Sequence, residues 1–159
     1  MGRPFKAVIL LAAIALAAVG TIAVAIRWQI TPVLTAVRKF NRGFTNPRAL
    51  RVAGSESSST GIIHHVGRRS GRSYRTPITA LRVGDGFVIA LPYGTNADWV
   101  RNVLASGGAL IETAGQQSMT RNPVIVPTAD VSAALPYGQR QTLRMFGVTQ
   151  CLRLEIVAS

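Results

Sequence analysis

The hydrophobic pattern divides the chain into stretches of different period. Ala7 to Ile26 is a run of twenty residues without a charge, with nothing more polar than Thr21 and Gly20. As a helix rising about 1.5 Å per residue it spans ~30 Å, the thickness of a bilayer's hydrocarbon core. A secretory signal competes with a membrane anchor here, since Arg3 and Lys6 precede the run and its end is rich in alanine. Length favours the anchor, because a signal's apolar region is usually ~7–15 residues. Trp28, just past the run, sits where an interfacial aromatic belongs. From Thr31 a second helix is expected, with Thr31 as N-cap and Pro32 at its first position. Val33, Val37, Phe40 and Phe44 recur at helical spacing, and Arg38, Lys39 and Arg42 cluster off that stripe. This basic amphipathic helix either packs its stripe on the following domain or lies on anionic headgroups.

Beyond the polar linker Gly54 to Gly61 the pattern turns to β. Ile62 to Val66, Tyr74 to Val83, Phe87 to Leu91, Ala109 to Ala114, Gln116 to Val126 and Gln150 to Val157 read as strands. Pro77 forfeits a ladder donor and belongs at an edge or bulge, and Pro123 interrupts its strand. Gly84-Asp85-Gly86 is a tight hairpin and Pro92-Tyr93-Gly94 a turn. Asp98 is read as N-cap of a short helix that ends at Ser106-Gly107-Gly108. Thr128-Ala129-Asp130 opens a weak helix, Pro136-Tyr137-Gly138 turns, and Gln139 to Phe146 is a further helix. Most links are too short for parallel crossovers, which suggests a small α+β unit: a six-stranded, mostly antiparallel barrel with short helices, preceded by a transmembrane helix. The expected organisation is an anchor at 1–30, a basic helix and connector at 31–53, and a barrel domain at 54–159.

Charge narrows the functional classes. Eighteen basic residues stand against six acidic ones, a net charge of +12, which predicts a polyanionic partner: nucleic acid, anionic membrane or a phosphorylated small molecule. Eight of the bases precede residue 60, beside the apolar run, and few aromatics interleave the rest for base stacking, so nucleic acid is discounted. Arg27, Arg38, Lys39, Arg42, Arg48 and Arg51 follow the run and outnumber Arg3 and Lys6 before it, which places the globular part in the cytoplasm. Cys151 is the single cysteine and reads as a small buried hydrophobe. His64 and His65 point to opposite faces of a strand and no acidic cluster accompanies them, so no metal site is expected; one should pack and one face water. Neither paired carboxylates nor a G-x-S-x-G elbow supports a hydrolase.

The strongest signal is V-G-R-R-S-G-R-S-Y-R-T-P, from Val66 to Pro77. Arg68, Arg69, Arg72 and Arg75 surround Gly67, Ser70 and Gly71, an arrangement suited to phosphate through guanidinium forks and a nest of exposed N–H groups. A solvated Arg-rich hairpin is the plain alternative. The second motif, L-P-Y-G-T-N-A-D-W-V-R-N, runs from Leu91 to Asn102. Together, in this order and spacing, G-R-R-S-G-R-x-x-R-T-P and Y-G-x-x-x-D-W-V-R-N resemble the deazaflavin-dependent nitroreductase family, which includes quinone reductases using coenzyme F420 on a split β-barrel. The resemblance covers roughly the last hundred residues. It implies that Gly67, Arg68, Arg69, Ser70 and Gly71 form the phosphate-side loop, with Arg75, Thr76 and Pro77 lining the coenzyme beside it. It further implies that Leu91, Pro92, Tyr93 and Gly94 face the deazaflavin ring, and that Asp98, Trp99, Arg101 and Asn102 close that side, with Arg101 or Asn102 reaching the acidic tail.

The implied chemistry is hydride transfer from reduced deazaflavin to a quinone, nitro or enone-type acceptor, with no side-chain nucleophile required. No catalytic residue is assigned, and aromatic residues that face substrate in relatives have no firm counterpart; Tyr137 is the nearest guess. The alternatives are a flavin mononucleotide (FMN) enzyme on the same barrel and a noncatalytic lipid- or coenzyme-binding protein. Small barrels of this kind dimerise, so a homodimer is allowed, but no segment marks an interface.

Overall fold

The computed structural model describes residues 3–28 and 30–157, without the side chains of residues 3–7, Ile26, Arg42 and Phe44. Met1, Gly2, Gln29, Ala158 and Ser159, which belong to the expected anchor and barrel, lie outside the described residues, as do the Arg42 and Phe44 side chains of the expected stripe and basic cluster.

The apolar run forms one helix, α1 (Arg3–Arg27). It is followed by α2 (Thr31–Phe40), a π-helical turn at Asn41–Thr45 and α3 (Asn46–Ala49). Thr31 is the first helical residue of α2 and Ile30 takes the cap position, with no side-chain cap. Leu34 is the residue that α2 buries, against Ala25 and Ile22 of α1, whereas Phe40 is exposed. The expected stripe is thus rotated by about one position, because the partner of α2 is α1 as well as the barrel.

Seven strands form one antiparallel sheet: β1 (Gly61–Val66), β2 (Ser73–Ile78), β3 (Ala80–Val83), β4 (Gly86–Ala90), β5 (Gly108–Thr113), β6 (Gln116–Pro127) and β7 (Gln150–Ile156), in the order β2-β1-β5-β6-β7-β4-β3. The expectation of six strands differs at one point. The run from Tyr74 to Val83 breaks at Thr79 into β2 and β3, which end up as the two outer strands of the sheet. Since neighbours in sequence occupy opposite ends of the strand order, the sheet must curl back on itself into a half-barrel. Pro77 lies on outer strand β2, where a missing donor costs no ladder bond on the open side. Pro123 falls at a register shift of β6 between Arg121 and Val124.

Two layers of apolar side chains hold this sheet. Inside the curl, Ile63, Ile89, Ile111, Leu152 and Leu154 pack with Val100 and Val103 of α4 (Asp98–Ser106). On the other face of β4 and β7, Val88 and Cys151 pack with Val131, Leu143 and Val148, contributed by α5 (Thr128–Val131), α6 (Tyr137–Met145) and the segment after it. Strand β4 is therefore covered on both faces, which is why its sequence, F-V-I-A, does not alternate. Helix α6 begins at Tyr137, with Pro136 as its cap, so the expected turn is the first turn of the helix.

Candidate functional site

The β1–β2 turn closes on itself before it meets anything else. Gly67 donates to the Arg72 carbonyl (2.8 Å), while Ser70 and Gly71 donate to the Gly67 carbonyl (3.2 and 2.8 Å). A Cβ at position 67 would lie 2.5 Å from Ser70 Oγ and 2.7 Å from Tyr74 Cε2, so both side chains would have to move to admit one. Gly71 takes a left-handed conformation, φ 64°. These bonds correct the expected nest, because amides already bonded within the turn are not available to an anion.

Arg68 is held against α4. Its backbone N–H and its Nη1 both donate to Asn102 Oδ1 (3.1 and 3.0 Å), and its guanidinium reaches Asp98 Oδ1 (3.4 Å). Asp98 occupies the first turn of α4 and Ala97 the cap position, so the expected capping carboxylate pairs with Arg68 instead. Asn102 is only 5% exposed, and its Nδ2 meets His65 Nδ1 at 3.1 Å. His65 Nε2 lies 3.1 Å from Thr76 Oγ1, and the imidazole stacks on Tyr74. Burial lowers the His65 pKa below 6.5, opposed by the Asp98 charge and reinforced by His64. His64 does not simply face water, as expected for one of the pair, but lies 3.2 Å from Glu112 Oε2.

The turn, α4 and the start of β2 thus bring together Gly67, Arg68, Ser70, Thr76 and Asn102. Arg69, Gly71, Arg72 and Arg75 lie exposed around them, and the guanidinium groups of these arginines have no ion pair among the described residues. Pro77 follows on β2, half-buried. Arg101 is turned to Asn96 Oδ1 (2.7 Å), and Trp99 packs partly buried on the core.

Leu91 to Gly94 form a second group at the end of β4. Leu91 is buried and bonded to the Gln150 carbonyl, and Gly94 donates back to Leu91. Among the described residues, the amides of Tyr93, Thr95, Asn96 and Ala97 have no partner. The unused N–H groups therefore gather here rather than at the glycines of the first motif. The Tyr93 hydroxyl accepts a hydrogen bond from Asn41 Nδ2 (3.3 Å).

An apolar cavity of about 430 Å³ opens beside this second group. Pro92 and Tyr93 line it with Val88, Ala90 and Cys151 of the sheet, Leu143 and Phe146 at α6, and Val19 and Ile22 of α1. Of the coenzyme-side residues expected from sequence, Pro92 and Tyr93 alone border it, and the arginines do not. Tyr137 is 68% exposed, bonded to Gln141, and outside the cavity. Sequence reasoning missed Phe146 and the walls given by α1. The spacing of Leu143 and Phe146, three apart on one helix, was the available signal for the first. Burial pushes the Cys151 thiol pKa up, against a hydrogen bond from Thr128 that pulls the other way. Among the described residues no group of three or more His, Cys, Asp or Glu is placed to hold a metal ion.

Comparison with known proteins follows the same residues. No curated protein matches the chain. Solved structures similar to it include one described as an F420-H2 dependent reductase, at 14% identity and TM-score 0.39, covering 61% of this chain and 94% of that one. Another is described as a domain-swapped dimer, at 15% identity and TM-score 0.44, covering 61% and 80%. The sequence model of the F420H(2)-dependent quinone reductase family matches residues 41–129, from the π-helical turn to the start of α5, and so takes in both motifs. With more than half of its length matched, the chain belongs to the F420H(2)-dependent quinone reductase family and is an oxidoreductase whose coenzyme is F420.

Proposed function

We propose that the protein passes a hydride from F420H2 to a quinone dissolved in the bilayer, with α1 as transmembrane anchor and the barrel on the cytoplasmic side. The observation that carries this reading is the cavity whose walls come from the barrel and from α1 together. Val8–Ala25 is apolar enough to cross a membrane. Its last turn is nevertheless occupied by the protein: Ala25 is buried and Ile22 half-buried against α2, Tyr93 and Phe146. The full apolar run, Ala7 to Ile26, is about 30 Å long at 1.5 Å per residue. With its last turn covered by the protein, the length left for lipid falls short of a hydrocarbon core of about 30 Å. Anchoring through α1 therefore draws the barrel onto the membrane surface, and the cavity mouth with it. The basic residues of α2, Arg38 and Lys39, follow at the level of anionic headgroups.

The donor set suits the coenzyme. Arg69, Arg72 and Arg75 would hold its phosphate and carboxylates, and the free amides from Tyr93 to Ala97 would face its polar ring edge. When bound, the reduced coenzyme supplies the hydride. The chain contributes position and a dry wall. Tyr93 also contributes a proton donor, since Asn41 already occupies a lone pair of its hydroxyl and leaves the O–H to point at an acceptor carbonyl.

The test is reconstitution of the full chain in vesicles with F420H2. Oxidation of F420H2 by a long-chain menaquinone, with kcat/KM at least tenfold above that for a tail-less analogue, is the expected result. Equal rates would remove the bilayer route, and no oxidation with either would remove quinone as the acceptor.

A further inference from the structure

Two donors converge on one atom at the centre of the turn. Arg68 N–H and Arg68 Nη1 both reach the same side-chain atom of Asn102, and neither donor can accept, so that atom is the amide oxygen. The Asn102 NH2 group must then point the other way, at His65 Nδ1 (3.1 Å). A nitrogen that receives an N–H carries no proton of its own. The neutral imidazole consequently bears its proton on Nε2, which donates to Thr76 Oγ1 (3.1 Å). The order of donation runs from Arg68 to Asn102, from Asn102 to His65, and from His65 to Thr76. Its two middle members, Asn102 and His65, are 5% and 7% exposed, so water does not substitute for a lost partner.

We propose that His65 is a positioning residue for the β1–β2 turn: its bare Nδ1 fixes the orientation of the Asn102 carboxamide, and through it the place of Arg68. Protonation of Nδ1 would set one N–H against another in a buried site. Rotation of the carboxamide would relieve that clash but turn the NH2 toward both Arg68 donors, releasing the turn from α4. The groups around the imidazole are Tyr74 and Thr76 of β2, Asp98 and Asn102 of α4, Arg68 of the turn and His64 of its own strand. Asp98 favours the protonated ring; burial and His64 oppose it, and the balance leaves the ring neutral near pH 7. The consequence for coenzyme affinity rests on the turn being the phosphate side of the F420 site.

Full-length protein in detergent, labelled with 15N at His, Asn and Arg, gives a readout that needs no coenzyme. The expected result is a neutral His65 with its proton on Nε2 and an Arg68 amide resonance that shifts as His65 titrates below pH 6.5. F420 affinity is then measured at pH 7.5 and 5 in the wild type and in His65→Asn, whose Oδ1 replaces Nδ1 as acceptor but does not titrate. The wild type should lose about tenfold more affinity on acidification than His65→Asn, and the two should match at pH 7.5. His65→Phe should bind about tenfold more weakly at both pH values; the tautomer and His65→Asn arms stand if it fails to fold. A proton on Nδ1, an Arg68 amide indifferent to the His65 titration, or an affinity of His65→Asn at pH 7.5 as low as that of His65→Phe would overturn the inference. An Arg68 amide that follows His65 without any change in F420 affinity would uphold it and remove the turn from the coenzyme site.

Discussion

Asn102 concentrates more of the site's order than any arginine does. Its oxygen takes the Arg68 amide and guanidinium together, so Asn102→Ala leaves the Arg68 backbone N–H without its partner and the guanidinium with Asp98 alone. The expected cost is about 1–3 kcal/mol of stability, read as a lower urea midpoint, together with weaker F420 binding in a fluorescence titration. His65 adds a pH dependence of known sign. Its folded pKa is depressed below 6.5, so the unfolded chain takes up its proton first, and stability falls as pH drops from about 6.5 through the folded value. Urea midpoints at pH 7.5 and 5 should show this slope, and it should be smaller in His65→Asn. Tyr93→Phe keeps the backbone amide and loses the hydroxyl: kcat with quinone should fall about tenfold while F420 affinity holds. At this scale the family resemblance implied Arg68, Ser70, Asp98 and Asn102 around one coenzyme. It did not give their partners. Whether Asp98 caps a helix or pairs with Arg68 depends on a one-residue shift of the helix start, and that shift is set by packing across β1 and α4 rather than by local pattern.

The elements repeat this division between local and distant causes. Hairpins, the Pro77 edge and the glycine stop at Gly107 were legible, because each rests on the backbone needs of a few adjacent residues. The break at Thr79 was not, since Y-R-T-P-I-T-A-L-R-V reads as one strand until the curl of the whole sheet assigns its halves to opposite edges. The pairing of β4 with β7 leaves no room for a side chain at Gly86. A Cβ on Gly86 would run into the Leu154 backbone carbonyl across the pair, whereas one on Gly84 in the preceding turn meets open space and only an unfavourable φ of 57°. Gly86→Ala should therefore cost about 3 kcal/mol or more and Gly84→Ala about 1 kcal/mol, a difference that thermal unfolding of the two variants will resolve.

For the molecule as a whole, the family match covers residues 41–129, so α1 and α6, which line the apolar cavity, lie outside the matched residues. An enzyme active only in the cytoplasm, fused after residue 159, should be functional in a membrane-bound fusion if α1 is oriented by the basic residues that follow it; a silent reporter would reverse the orientation. The short bare length of α1 reaches further. A hydrophobic segment that undershoots its bilayer is accommodated by local thinning or by pulling its attached domain inward, at a cost that grows with the mismatch. Turnover with a lipid-borne quinone should accordingly vary with the acyl chain length of the host vesicle and be fastest in short-chain lipids, where mismatch is least, while turnover with a water-soluble acceptor stays level. Membrane thickness would then act on this reductase as a control variable, with no ligand and no modification of the protein.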